Sequence, residues 1–192
     1  LEEKMKRGRS RIDDSVYPLF VTTAITEFIP VFRDSDLAKR ALRLLEERRR
    51  REKMRVFAYV LMANHLHAIV QASRKGGTSH FMASWKSLTA RLIIESVSPA
   101  AREAFAKAAR AYGEPERKAH KVWMSRFDDV ALFDQSIFAT KLEYIHCNPV
   151  KAGLVERAED YPFSSAGFYY AGCRDSIVEL TDCRPLLAGR KC

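Results

Sequence analysis

The spacing of apolar and polar positions changes several times along the chain, and each change marks an element. Positions 17–26 (YPLFVTTAIT) are rich in β-branched and aromatic residues and predict a first strand. Asp34 or Ser35 is placed to cap a helix over about 36–51, where Leu37, Ala41, Leu44 and Leu45 recur at helical spacing. That helix ends in Arg48, Arg49, Arg50 and Arg51, cations that suit the carbonyl end of a helix. Positions 54–61 (MRVFAYVL) and 65–71 (HLHAIVQ) predict two more strands, and only Met62, Ala63 and Asn64 part them, so they form a tight hairpin. Gly76 and Gly77 close the hairpin. Thr78 or Ser79 then caps a helix to about position 96, with Phe81, Trp85, Leu88 and Leu92 near one face. Positions 98–121 are Ala-rich and charged and contain Pro99, Gly113 and Pro115, the pattern of an inserted helix plus loop. Positions 122–133 predict a fourth strand, and 135–147 a helix stopped by Pro149. Positions 151–170 read as loop with a short helix, and 171–192 as a tail.

The order β-α-β-β-α-β-α is that of an α+β, ferredoxin-like antiparallel sheet with helices on one face and a further C-terminal helix. This fold hosts many activities, so it does not assign one. The expected organisation is a basic N-terminal arm (1–15), one domain (16–170, with the insertion at 98–121) and the tail (171–192). The 192 residues carry 33 Lys and Arg against 24 Asp and Glu, a formal charge of +9. An anionic partner follows, and nucleic acid is the foremost candidate. Lys4, Lys6, Arg7, Arg9 and Arg11 crowd the arm and are placed to follow a phosphate backbone. No apolar run approaches the roughly 18 residues that span a bilayer, and positions 1–11 have no apolar leader core. The expectation is a cytoplasmic protein without a membrane partner. Cys147, Cys173, Cys183 and Cys192 fit no zinc spacing and read as reduced, incidental thiols.

Two short motifs carry chemistry. His65 and His67 stand two apart on a strand, so their imidazoles share one face while Leu66 turns into the core. Two neutral imidazoles side by side suit one divalent metal ion. Asn64, just before them, is placed to orient the hairpin or a ring nitrogen. An H-x-H pair also occurs as two surface histidines on an amphipathic strand, and no third His, Asp or Glu lies close in sequence. Tyr144 and Asn148 are four apart on the last predicted helix and share a face. A phenol can act as nucleophile, and an amide oxygen can join the same metal. The plain alternative is a packed Tyr and a helix stop before Pro149. His146, two residues from Tyr144, faces elsewhere and reads as structural.

Three motifs in order carry a family resemblance: YVLMANHLH at 59–67, YIHCNPVKAGLV at 144–155 and DYPFSS at 160–165. Together they resemble the single-tyrosine HUH transposases, and most closely the REP-associated tyrosine transposases. The stretches FRD at 32–34 and VWMSRF at 122–127 resemble that branch as well. The resemblance implies a ferredoxin-like enzyme that cuts and rejoins single-stranded or hairpin DNA through a 5′-phosphotyrosine. It implies Tyr144 as nucleophile, His65 and His67 as metal ligands, and Mg²⁺ or Mn²⁺ as the ion. Asn148 stands where relatives often have Gln, an amide one methylene longer, and Ala63 replaces a common Pro. Arg126 and Lys151 lie near the motifs and are expected to contact DNA phosphates. Trp85 and Trp123 are expected in the core rather than under bases. Two other readings stay open: a hairpin DNA- or RNA-binding protein without cleavage, and a metal-dependent phosphodiesterase that uses water. Monomer and homodimer are equally compatible with the pattern.

Overall fold

The computed structural model describes residues 13–113, 119–173 and 175–187. Four strands form one antiparallel sheet: β1 (Leu19–Ala24), β2 (Arg55–Leu61), β3 (His65–Gln71) and β4 (Asp128–Ala131). Their order across the sheet is β2-β3-β1-β4, the ferredoxin-like arrangement expected from the chain. Helices α1 (Ser35–Glu52), α2 (Gly77–Ser96) and α3 (Pro99–Ala111) precede β4, and α4 (Gln135–Lys151), α5 (Ala166–Tyr170) and α6 (Arg184–Leu187) follow it.

Strand alternation sorts the side chains onto two faces. Leu19, Val21, Leu66, Ala68 and Val70 join Leu42, Leu45, Phe81 and Trp85 in a core beneath α1 and α2. Phe20, Val60 and Ile69 point the other way and pack with Phe138 and Ile145 of α4. Each fully buried Leu, Ile or Phe contributes about 1.5–3 kcal/mol, so α4 is fastened by its own apolar stripe rather than merely tethered. A bulge at 56–58 of β2 turns both Phe57 and Ala58 toward α4. Trp85 and Trp123 are buried in the first core as expected, their rings 5.0 Å apart, and each indole N–H finds an acceptor, Ala41 O and Thr89 Oγ1.

Local chemistry accounts for most boundaries. Asp34 caps α1 by accepting from the amides of Asp36 and Leu37. The cap of α2 differs from the expected Thr78 or Ser79. The helix starts after Gly76 at φ +78, and the Asp14 carboxylate accepts from the amides of Gly76 and Thr78. A buried acid from before β1 therefore does the capping, which spacing within the helix could not foretell. The fourth strand is four residues, not the twelve of 122–133. Upstream of it, Trp123 makes one isolated bridge to Ile25 and the chain then leaves the ladder.

Helix α4 also overruns its expected stop at 147. Pro149 lies inside it and is buried, and the helix ends after Lys151, with Gly153 at φ +67 in the turn beyond. The inserted segment is integrated: Phe105 of α3 is fully buried and its carbonyl accepts from the Lys121 amide. Residues 171–187 also join the body, since Val178 and Cys183 are fully buried and the Thr181 amide donates to Val56 O. Among the described residues no helix is long and apolar enough to cross a membrane.

Candidate active site

Phe20 and Thr22 of β1, His65 and His67 of β3, and Tyr144 and Asn148 of α4 meet on the α4 side of the sheet. Register explains the first two pairs, because Thr22 lies opposite His67 and Ala24 opposite His65. The His65 and His67 rings are 4.8 Å apart. The Tyr144 ring is 5.2 Å from His67 and 5.9 Å from Phe20, and Phe20 stacks on His67 at 5.6 Å. Residues from distant parts of the chain thus form one cluster, with Tyr144 still 38% exposed and open to a ligand.

The imidazoles are held by their Nδ1 atoms. His65 Nδ1 lies 2.7 Å from Asn64 Oδ1, and His67 Nδ1 lies 2.7 Å from Thr22 Oγ1. Asn64 Nδ2 meanwhile donates to Phe28 O at 2.9 Å. A carbonyl only accepts, so that bond sets which end of the Asn64 amide faces His65. The remaining amide oxygen also only accepts, so His65 Nδ1 carries the proton and Nε2 keeps its lone pair. The turn that supplies Phe28 O is itself unusual, with Glu27 at φ 56 and Phe28 at φ 52. Backbone strain there aims a carbonyl at Asn64.

Burial keeps both rings neutral. It lowers the pKa of His65, opposed by a hydrogen bond with the Asn148 side chain. It drives His67 down to about 3, helped by the neighbouring charges of His65 and Lys141. Two neutral imidazoles, each anchored through Nδ1, with an amide side chain against one of them, form a donor set that fits a divalent cation. No group of three or more His, Cys, Asp or Glu gathers among the described residues.

The other expected residues divide. The Lys151 ammonium lies 5.8 Å from the Tyr144 ring centre. Arg126 is exposed on the stretch leading into β4 and makes no contact with the cluster, though its carbonyl accepts from Lys86. Lys4, Lys6, Arg7, Arg9 and Arg11 lie outside the described residues.

His146 is fully buried and faces away from the cluster, as its spacing from Tyr144 implies. Its Nε2 lies 2.8 Å from Ser165 Oγ, which also accepts from the Tyr59 amide. The 160–165 motif is therefore a strap along the free edge of β2, where Leu61 N donates to Phe163 O and Ser165 N to Tyr59 O. Three supporting residues carried no signal along the chain: Thr22 and Phe20, each one residue of an ordinary strand, and Lys141. Lys141 stands one turn before Tyr144, its ammonium 4.8 Å from the Phe20 ring centre and 5.7 Å from that of Tyr144.

Known proteins resemble this chain in sequence over its first half and in fold over nearly all of it. The family model described as "Transposase IS200 like" matches residues 21–110, which span β1, the histidine hairpin and both flanking helices. This stretch of the chain is thus similar to the IS200-like transposases. A Haemophilus influenzae protein named as a REP-associated tyrosine transposase is 43% identical over 44 residues. That stretch covers 23% of this chain and spans a quarter (25%) of the relative's length. The solved structure of a REP-associated tyrosine transposase bound to a REP hairpin shares the fold, with a TM-score of 0.62. It is 19% identical, and the match covers 97% of this chain and 98% of that one.

Proposed function

We propose that this chain is a metal-dependent single-stranded DNA transesterase that cuts and rejoins DNA near hairpins. The observation that carries the reading is the Tyr144 ring set 5.2 Å from His67, itself paired with His65 at 4.8 Å. A phenol beside two anchored, neutral imidazoles and an amide is the equipment of phosphoryl transfer to tyrosine, not of acyl or redox chemistry. The hairpin bound by the solved relative supports a folded single strand as substrate.

Tyr144 Oη attacks the scissile phosphorus and gives up its proton. A phosphorus–oxygen bond to the phenol forms while the bond to the 3′ oxygen breaks. The 3′ oxygen takes a proton and leaves as a hydroxyl, and the DNA stays joined to Tyr144 through its 5′ phosphate. A second 3′-hydroxyl reverses the exchange, so one phosphodiester replaces another without an external energy source. His65, His67 and Asn148 would hold Mg²⁺ or Mn²⁺. When bound, the ion polarises the phosphate and stabilises charge that develops on it. Asn64 and Thr22 keep the imidazoles aimed. Lys151 and Arg126, with Lys4, Lys6, Arg7, Arg9 and Arg11, bind the DNA backbone around this centre. The segment 98–121 sits within the 16–170 module as an accessory to DNA recognition.

The test is a denaturing gel of protein incubated with hairpin-bearing single strands from the gene's own flanks, with Mn²⁺ or with EDTA. The expected result is a metal-dependent protein–DNA adduct that disappears in Tyr144→Phe and in His65→Ala, while Tyr144→Phe still binds the DNA. Cleavage that survives Tyr144→Phe would point to water as the nucleophile. Tight binding with no adduct in the unaltered protein would leave a DNA-binding module.

A further inference from the structure

Lys141 is the residue of the cluster that packing does not explain. It stands mid-helix, half-buried, with its ammonium 4.8 Å from the Phe20 ring centre and 5.7 Å from that of Tyr144. No carboxylate among the described residues lies within ion-pairing distance of it, in contrast to Lys39, Arg49, Arg110, Arg157 and Arg184. Lys151, the other ammonium near Tyr144, sits in the last turn of α4, where a cation also complements the helix dipole. Lys141 has no such role. Contact with the face of Phe20 holds its stem but leaves its charge uncancelled. The groups around it are a phenol, imidazoles and an amide, none of them a carboxylate, so nothing in the cluster supplies an anion.

We propose that Lys141 is a catalytic residue that engages a non-bridging oxygen of the scissile phosphodiester while Tyr144 attacks. The proposal rests on the transesterase reading above. A four-carbon stem with three rotatable donors lets the ammonium follow the phosphate as it changes shape, from a starting point already beside the nucleophile. A phosphodiester carries one negative charge, and further charge develops on its oxygens in the transition state. A cation held in a half-buried, aromatic-walled position acts on that charge more strongly than one in open solvent.

The experiment measures single-turnover adduct formation with Mn²⁺ for the unaltered protein, Lys141→Met, Lys141→Arg and a distant control, Lys39→Met. Each is run on a hairpin strand with an ordinary scissile phosphate and on one with a neutral methylphosphonate there. Thermal melting of each variant checks the fold. On the ordinary strand Lys141→Met is expected to slow the step by roughly 10- to 100-fold, with Lys141→Arg recovering most of the rate and Lys39→Met unchanged. On the neutral linkage the ratio of unaltered protein to Lys141→Met should shrink toward one, which a merely structural role would not produce. Equal rates for Lys141→Met and the unaltered protein, or the same ratio on both linkages, would overturn the proposal. No adduct in the unaltered protein instead overturns the transesterase reading itself.

Discussion

Asn64 shows how one side chain converts backbone geometry into site chemistry. Phe28 O takes its amide N–H and its oxygen takes the His65 Nδ1 proton, so that ring keeps its lone pair on Nε2. Replacing Asn64 by Ala should leave the fold intact and weaken Mn²⁺ binding about 10- to 100-fold, the usual loss when a partner behind a metal-bound histidine is removed. Titration of free Mn²⁺ by electron paramagnetic resonance would measure it, and unchanged affinity would mean the relay does not matter. Thr22→Val should act in the same direction through His67. Asn64 was legible along the chain because it adjoins the histidines. Thr22 was not: it lies 45 positions away, and only the β1–β3 register brings it opposite His67.

At the scale of elements, α4 and the 160–165 strap form a unit. Pro149 cannot donate to the carbonyl four residues back, so it marks a helix end in any local reading. Here the helix runs past it, and Pro149 is buried among the packed elements. Packing outweighs one lost hydrogen bond. The strap ties the same helix to the β2 edge through His146 and Ser165. Ser165→Ala would leave buried polar groups without a partner, so a loss of about 1–3 kcal/mol is expected in urea denaturation.

His146 adds a pH dependence. Burial lowers its pKa from 6.5 to about 4, so the unfolded chain takes up its proton first as pH falls. Its contribution is fully present above about pH 6.5 and is lost between there and about 4, on the order of 3 kcal/mol in all. Burial shifts His65 and His67 the same way, so they add to the loss. Melting curves of the protein and of His146→Gln between pH 7 and 4 should converge as pH falls. Parallel curves would remove His146 from the account.

Across the whole molecule, one sheet separates two tasks. The α1–α2 face carries the larger core, and the α4 face carries a smaller core with the cluster at its margin. The formal charge of +9 belongs to this scale as well. If several Lys and Arg contact phosphates, binding of a hairpin strand should weaken steeply with salt, by roughly 0.7 to 0.9 in log affinity per log salt for each contact. Fluorescence anisotropy over a range of KCl concentrations would give the slope, and a flat response would remove the phosphate contacts.

The chain by itself determined the element order, the ferredoxin-like class, the shared face of His65 and His67, and the shared face of Tyr144 and Asn148. All of these follow from periods of two or 3.6 residues and need no distant partner. Only the tertiary structure decided that the two faces meet. That meeting depends on which side of the sheet α4 covers, set by Phe20, Val60 and Ile69 packing with Phe138 and Ile145. Tertiary packing likewise placed Asp14 at the head of α2, carried α4 through Pro149, and set Lys141 beside the phenol. Local propensity acts between neighbours in sequence. Caps, anchors and charges borrowed from far along the chain are chosen by packing, which no local pattern encodes.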